Sequence, residues 1–191
     1  MSSAIEKVPT NLIYEMVNGK PIYYKGYQDY LSGRKKIVEV MGSSKIQAYL
    51  VAELIFLLKS YLSKEYIVFT NELGIQFSHK NWRAADIAVI HTDAINSLDD
   101  KYLNVPPDLV IEIDTKAELS ELNNPIGYYH EKTEDLLSFG VGKVIWIFTD
   151  TEKVMIATSN EKWSINDWQD AIDLMEGLTV NLSELTNRKK N

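Results

Sequence analysis

Two strand-length apolar runs in this chain hold an acid in their middle, and this constrains the fold more than any other feature. The runs are RAADIAVI (83–90), with Asp86, and PDLVIEID (107–114), with Glu112. A third charge, Lys132, lies in a helical stripe just ahead of LLSFGV (136–141). A charge buried alone costs on the order of several kcal/mol unless it is paired, hydrogen-bonded or bound to metal. A chain with this pattern must bring the three groups to one another or to a cation.

Side chains alternate along a strand, so Val110, Glu112 and Asp114 share one face, and Lys116 joins them if the strand continues. Asp86 shares its face with Ala88 and Ile90, and the small Ala84, Ala85 and Ala88 leave room beside it. If the two strands are neighbours, Asp86 and Glu112 converge. Two carboxylates about 4 Å apart repel by roughly 4 kcal/mol at an effective dielectric near 20. A hard divalent cation removes that penalty, and an all-oxygen donor set favours Mg2+ or Mn2+ over zinc. Such an ion with a lysine beside it suits phosphodiester hydrolysis. The alternative for Lys132, set between Tyr128 or Tyr129 and Leu136, is that it snorkels to solvent.

Further acids are less constrained. Glu53, between Leu50 and Leu57 in AYLVAELIFLL, is either another site acid or an edge or ion-paired residue. Glu15 in YEMVNG either approaches the site or, on the simpler reading, sits on the outer face of a hairpin. His79, His91 and His130 form no metal-binding spacing and read as surface or loop residues. Ser43-Ser44 reads as a helix cap, and no phosphate-cradling glycine motif is present.

Along the chain, Asn18-Gly19 predicts a hairpin turn and residues 35–41 read as a strand. Helical spacing covers 45–62. Short β-like runs follow at 66–70, 74–78, 85–90 and 108–113, then a helix over 126–139 closed by Gly140. A strand pair lies at 143–150 and 153–159, and LTVNL (178–182) reads as packing structure. This order predicts an α/β domain with a mixed central sheet flanked by helices, preceded by a β-hairpin. The 191 residues fit one domain, with 1–11 and 187–191 as flexible ends.

Composition narrows the function. Absence of cysteine excludes disulfides, thiolate zinc sites and cysteine nucleophiles. No apolar run nears 18 residues and MSSAIEKVPTN shows no signal pattern, so a cytoplasmic location is expected. The net charge of −7 argues against coating nucleic acid by bulk electrostatics. It leaves open a local basic rim from Arg34, Lys35, Lys36 and Lys45, whose bland reading is a solvated hairpin.

The ordered segments YEMVNGK (14–20), VMGSSKIQAYLVAEL (40–54), RAADIAVI, PPDLVIEID (106–114), EKTEDLLSFGV (131–141) and KVIWIFTD (143–150) resemble the Uma-two family of nuclease-like proteins. That family belongs to the PD-(D/E)xK restriction-endonuclease-like superfamily, and the resemblance spans roughly residues 12–185. It implies a restriction-endonuclease-like core and Mg2+-dependent cleavage of DNA. Asp86 takes the place of the metal-binding aspartate, Glu112 that of the motif glutamate, and Lys132 that of a lysine displaced onto the following helix. Glu53 matches more loosely a helix acid of the superfamily. The chain departs from the pattern at Ala85, Lys45 and Thr115, where proline, histidine and serine are common. It departs again at Asp114, in the superfamily's usual lysine position; this acid either adds a metal ligand or pairs with Lys116 or Lys132. A homodimer is expected by analogy with nuclease folds that reach both strands. The competing readings are a catalytically inactive scaffold of the same fold and, more remotely, a two-carboxylate glycosidase.

Overall fold

The computed structural model describes residues 8–122 and 124–187. Most of the expected flexible ends, 1–7 and 188–191, lie outside this range. Residues 10–12 are no loose end: Thr10–Leu12 form one 3-10 turn and bury Leu12. Strands β1 (Ile13–Val17) and β2 (Lys20–Tyr23) pair across Asn18 and Gly19, both at positive φ (49° and 78°), as the Asn-Gly signal predicts. Two short helices follow, α1 (Tyr27–Leu31) and α2 (Ile37–Met41). The expected strand at 35–41 is therefore wrong. Glu39 reaches back to accept from the Lys36 N–H (2.8 Å), and only Val40 of α2 is buried, so the run has no sheet face to fill.

Helix α3 (Lys45–Tyr61) starts where Ser44 Oγ accepts from the Gln47 N–H (3.2 Å), the cap expected of that serine pair. Its buried stripe is Gln47, Leu50, Leu54 and Leu58. The runs at 66–70 and 74–78 are one strand, β3 (Tyr66–Ser78), interrupted by a bulge where Asn71 and Glu72 turn left-handed. β4 (Asn81–His91) pairs with it in antiparallel register, and β5 (Leu109–Ile113) follows. Helix α4 (Pro125–Phe139) is capped by Asn124 and closed by Gly140 at φ 111°. Then come β6 (Lys143–Phe148), β7 (Lys153–Ala157), β8 (Ser164–Asp167), β9 (Ile172–Met175), β10 (Leu178–Val180) and α5 (Leu182–Asn187).

The main sheet runs β2-β1-β4-β5-β6-β7-β8, with β3 along the other edge of β4. β5 and β6 are parallel, joined through α4, and the remaining pairs are antiparallel. The sheet is thus mixed, as expected. All five residues of β5 are buried, consistent with helices over both faces. One face packs Ile87, Val89, Leu109, Ile111, Ile113 and Ile145 against α3, the β9–β10 hairpin and α5. The other packs Ala84, Ala88, Val110, Val144 and Trp146 under Tyr128 and Leu136 of α4, beside Tyr14 and Tyr24.

One consequence positions the site. β3 occupies one edge of β4 almost throughout, so β1 and β5 share the opposite edge, β1 at Trp82 and β5 at Ile87 to Val89. Side chains from three strands thereby meet under α4.

Candidate active site

The β4–β5 register pairs Ile87 with Ile111 and Ala88 with Val110. One step further sets Asp86 opposite Glu112 on the face beneath α4, where cross-strand side chains are neighbours. The ladder stops there because Asp86 Oδ2 itself accepts the Ile113 N–H (2.8 Å). Gln47 reaches past the end of β5 to bond the Ile113 carbonyl (2.9 Å) and lies 3.5 Å from the same Oδ2. The Ile113 N–H and the Gln47 amide thus both meet Asp86 at Oδ2.

Lys132 enters from α4, on the stripe Tyr128, Lys132, Leu136. It is wholly buried, so it does not snorkel. Its Nζ lies 3.0 Å from Glu112 Oε2 and 2.8 Å from Glu15 Oε1, at ion-pair distance but off the alignment of a hydrogen bond. The rings of Trp146 and Tyr14 flank the ammonium at 5.2 and 5.6 Å. Neither oxygen of Glu112 has a hydrogen-bond partner.

Glu15 is not on an outer hairpin face: it is fully buried. The β1–β4 register pairs Met16 with Trp82, and one step on sets Glu15 opposite Arg83. Arg83 bonds Glu15 Oε2 (3.0 Å) and reaches across to Asp135 of α4 (2.6 Å). The Tyr128 hydroxyl donates to Oε2 (3.0 Å) and the Ala84 N–H to Oε1 (3.2 Å), so each oxygen of Glu15 is engaged.

Electrostatics follow from burial. Desolvation drives the Glu112 carboxyl up to about 8; Lys132 opposes this, while the negative charges of Asp86 and Glu15 add to it. Asp86 is also raised by burial, against the Ile113 N–H and the Lys132 charge. Burial pushes Glu15 up as well, but Lys132 and Arg83 outweigh it and hold that carboxyl below its ordinary value. Burial alone would discharge Lys132; Glu112 and Glu15 reverse this and keep it charged well above the usual lysine range.

The remaining candidates lie elsewhere. Asp114 is left-handed (φ 55°), which ends β5, and its carboxylate accepts from the Thr149 N–H (2.8 Å) and hydroxyl (2.6 Å). It therefore shares no continuing face with Glu112, and neither Lys116 nor Lys132 is its partner. Lys116 pairs with Glu72 at the β3 bulge and reaches the Met41 carbonyl (3.4 Å). Glu53 is half-buried on α3, and no hydrogen bond or ion pair ties it to the cluster. Of the expected basic rim, Arg34 and Lys35 are both tied to Asp29, while Lys36 and Lys45 are exposed.

Gln47, Arg83 and Tyr128 take part in the cluster without having been singled out by sequence. Gln47 had a readable signal, a polar residue on the stripe of Leu50, Leu54 and Leu58. Arg83 opens an otherwise apolar strand, as much an oddity as Asp86.

The fold is a mixed α/β sheet between helices, with a buried cluster of acids and one lysine beneath α4. The chain belongs to the Uma2 family, described as "Putative restriction endonuclease", whose model matches residues 29–187. Among solved structures, a crystal structure described as a "putative nuclease belonging to DUF820", from Anabaena variabilis ATCC 29413, shares the fold with a TM-score of 0.68. It is 15% identical, and the match covers 95% of this chain and 93% of that one. No curated protein matches. Among the described residues, no helix is long and apolar enough to cross a membrane.

Proposed function

We propose that this chain is a divalent-metal-dependent endonuclease acting on DNA, with Asp86 and Glu112 as the metal-binding pair and Lys132 as the adjacent cation. The observation that carries the reading is Glu112: both oxygens are buried and free of hydrogen bonds, beside Asp86 and within ion-pair reach of Lys132. Lys132 compensates this buried carboxylate from the Oε2 side alone, and a metal cation at the uncontacted Oε1 would supply the second partner that a buried carboxylate calls for. Among the described residues no three His, Asp or Glu side chains are placed to hold one metal ion together. Two carboxylates still fit Mg2+, which commonly takes one or two from the protein and completes its shell with water and substrate phosphate. Such an ion supplies Lewis-acid neutralisation of charge on a phosphoryl oxygen. Glu112 and Glu15 favour the charged form of Lys132, which suits Nζ to donate toward developing negative charge rather than to act as a base.

A second reading, an inactive nuclease-fold scaffold, is favoured by burial: Asp86 is 8% exposed and Glu112 0%. The two separate in one experiment, in which supercoiled plasmid is incubated with purified protein and Mg2+ or Mn2+ while melting is followed with and without the metal. The nuclease reading expects nicking that Asp86→Asn abolishes in a folded protein, and a rise in Tm with metal for the wild type alone. Undiminished nicking by the variant removes Asp86 from the mechanism. No cleavage together with no metal-induced shift leaves the scaffold.

A further inference from the structure

We infer that Glu15 is a positioning residue for the site: it shares Lys132 with Glu112, restrains the ammonium from closing fully on Glu112, and so leaves Glu112 Oε1 open to a divalent cation. The inference rests on the reading of Asp86 and Glu112 as the metal-binding pair.

The two buried glutamates are opposites. Glu15 receives the Ala84 N–H and the Lys132 ammonium at Oε1, and Arg83 and the Tyr128 hydroxyl at Oε2. Glu112 has one such contact, the Lys132 ammonium at Oε2 (3.0 Å), and none at Oε1. Among the described residues, Lys132 has only these two carboxylates within ion-pair distance, Glu15 at 2.8 Å and Glu112 at 3.0 Å. Arg83 is less dependent on Glu15, because Asp135 also holds it (2.6 Å).

Glu15 is well placed to impose this division. It sits on β1 opposite Arg83 of β4, and Arg83 is tied to the same helix that carries Lys132. Its carboxylate is therefore fixed from two strands and α4 at once. A fully buried ammonium cannot be left without an anion. Without the Glu15 charge, Glu112 is the anion left within ion-pair distance of Lys132 among the described residues; the ammonium must close on it and align a hydrogen bond there, and that bond competes directly with a metal ion.

The test is binding of Mn2+, followed by the loss of its free-ion EPR signal, in the full-length wild type, Glu15→Gln and the double variant Glu15→Gln/Lys132→Met, with melting recorded for each. Glu15→Gln is expected to weaken Mn2+ binding by at least about tenfold, the scale seen when a partner of a metal ligand's neighbour is removed. Removing Lys132 as well is expected to return the affinity close to wild type and to raise Tm above that of Glu15→Gln, since the stranded ammonium is gone. A residue needed only for folding would show no such rescue. The inference is overturned if Glu15→Gln binds Mn2+ like wild type, or if the double variant binds as weakly as the single. It is equally overturned if the double variant melts no higher than Glu15→Gln or, where that single variant does not fold, fails to fold too. A wild type that takes up no Mn2+ removes the metal-site reading itself, while the melting comparison still decides the counter-ion.

Discussion

At the scale of residues, the cluster divides its acids by environment rather than by type. Glu15 has cations and donors around it and stays ionised; Glu112 has burial and like charges and is driven up to about 8. The sign of the resulting pH dependence is fixed. Between the ordinary glutamate value and about pH 8, folded Glu112 binds more proton than unfolded Glu112, so stability falls as pH rises and levels off above that window. One such proton contributes a slope of at most about 1.4 kcal/mol per pH unit. Glu15 acts in the opposite sense: its depressed value adds stability that is fully present above the ordinary glutamate range and is lost at lower pH. Urea midpoints between pH 5.5 and 8.5 should therefore decline for the wild type and lose most of that decline in Glu112→Gln. An unchanged slope in the variant would show that Glu112 does not carry the effect.

At the scale of elements, strand ends matter more than strand middles. Asp114 reads in sequence as the next residue on the Glu112 face, yet its left-handed backbone stops β5 and turns its carboxylate onto Thr149 of the chain following β6. Asp114→Ala strands two Thr149 donors and puts alanine at positive φ, for a cost of about 1–3 kcal/mol. Denaturant unfolding should register that cost while metal-dependent nicking survives; loss of nicking in a folded variant would return Asp114 to the site. Asn18-Gly19, the Ser44 cap, Gly140 and the apolar runs of β4 to β7 are local signals, and they gave the hairpin, α3, α4 and the sheet. The pair of Asp86 and Glu112 with Lys132 was legible because each breaks an apolar pattern. Glu15 was legible only as the less favoured of two readings, because its partner Arg83 lies 68 residues away and only the β1–β4 register joins them. The run at 35–41 was too short for its periodicity to tell a strand from a helical turn, and the β3 bulge hid one strand as two.

At the scale of the whole molecule, a chain of net charge −7 must approach DNA through a local surface rather than its overall field. Lys45 begins the helix whose third residue, Gln47, touches the Asp86 cluster, and Lys36 is exposed nearby in sequence. Arg34 and Lys35 are compromised by Asp29. Replacing both Lys36 and Lys45 by alanine should weaken plasmid binding at low salt and flatten its dependence on log salt by about 1–2 in slope. Titrations across salt concentrations check this, and an unaltered slope would move the DNA-facing surface elsewhere.

The most direct measurement is an anomalous difference map from a crystal of this protein soaked in Mn2+. One strong peak is expected within coordination distance of carboxylate oxygens from both Asp86 and Glu112, with Lys132 still held by Glu15. A fully soaked crystal with no peak there, or with manganese bound only at other carboxylates, would contradict the metal-site reading.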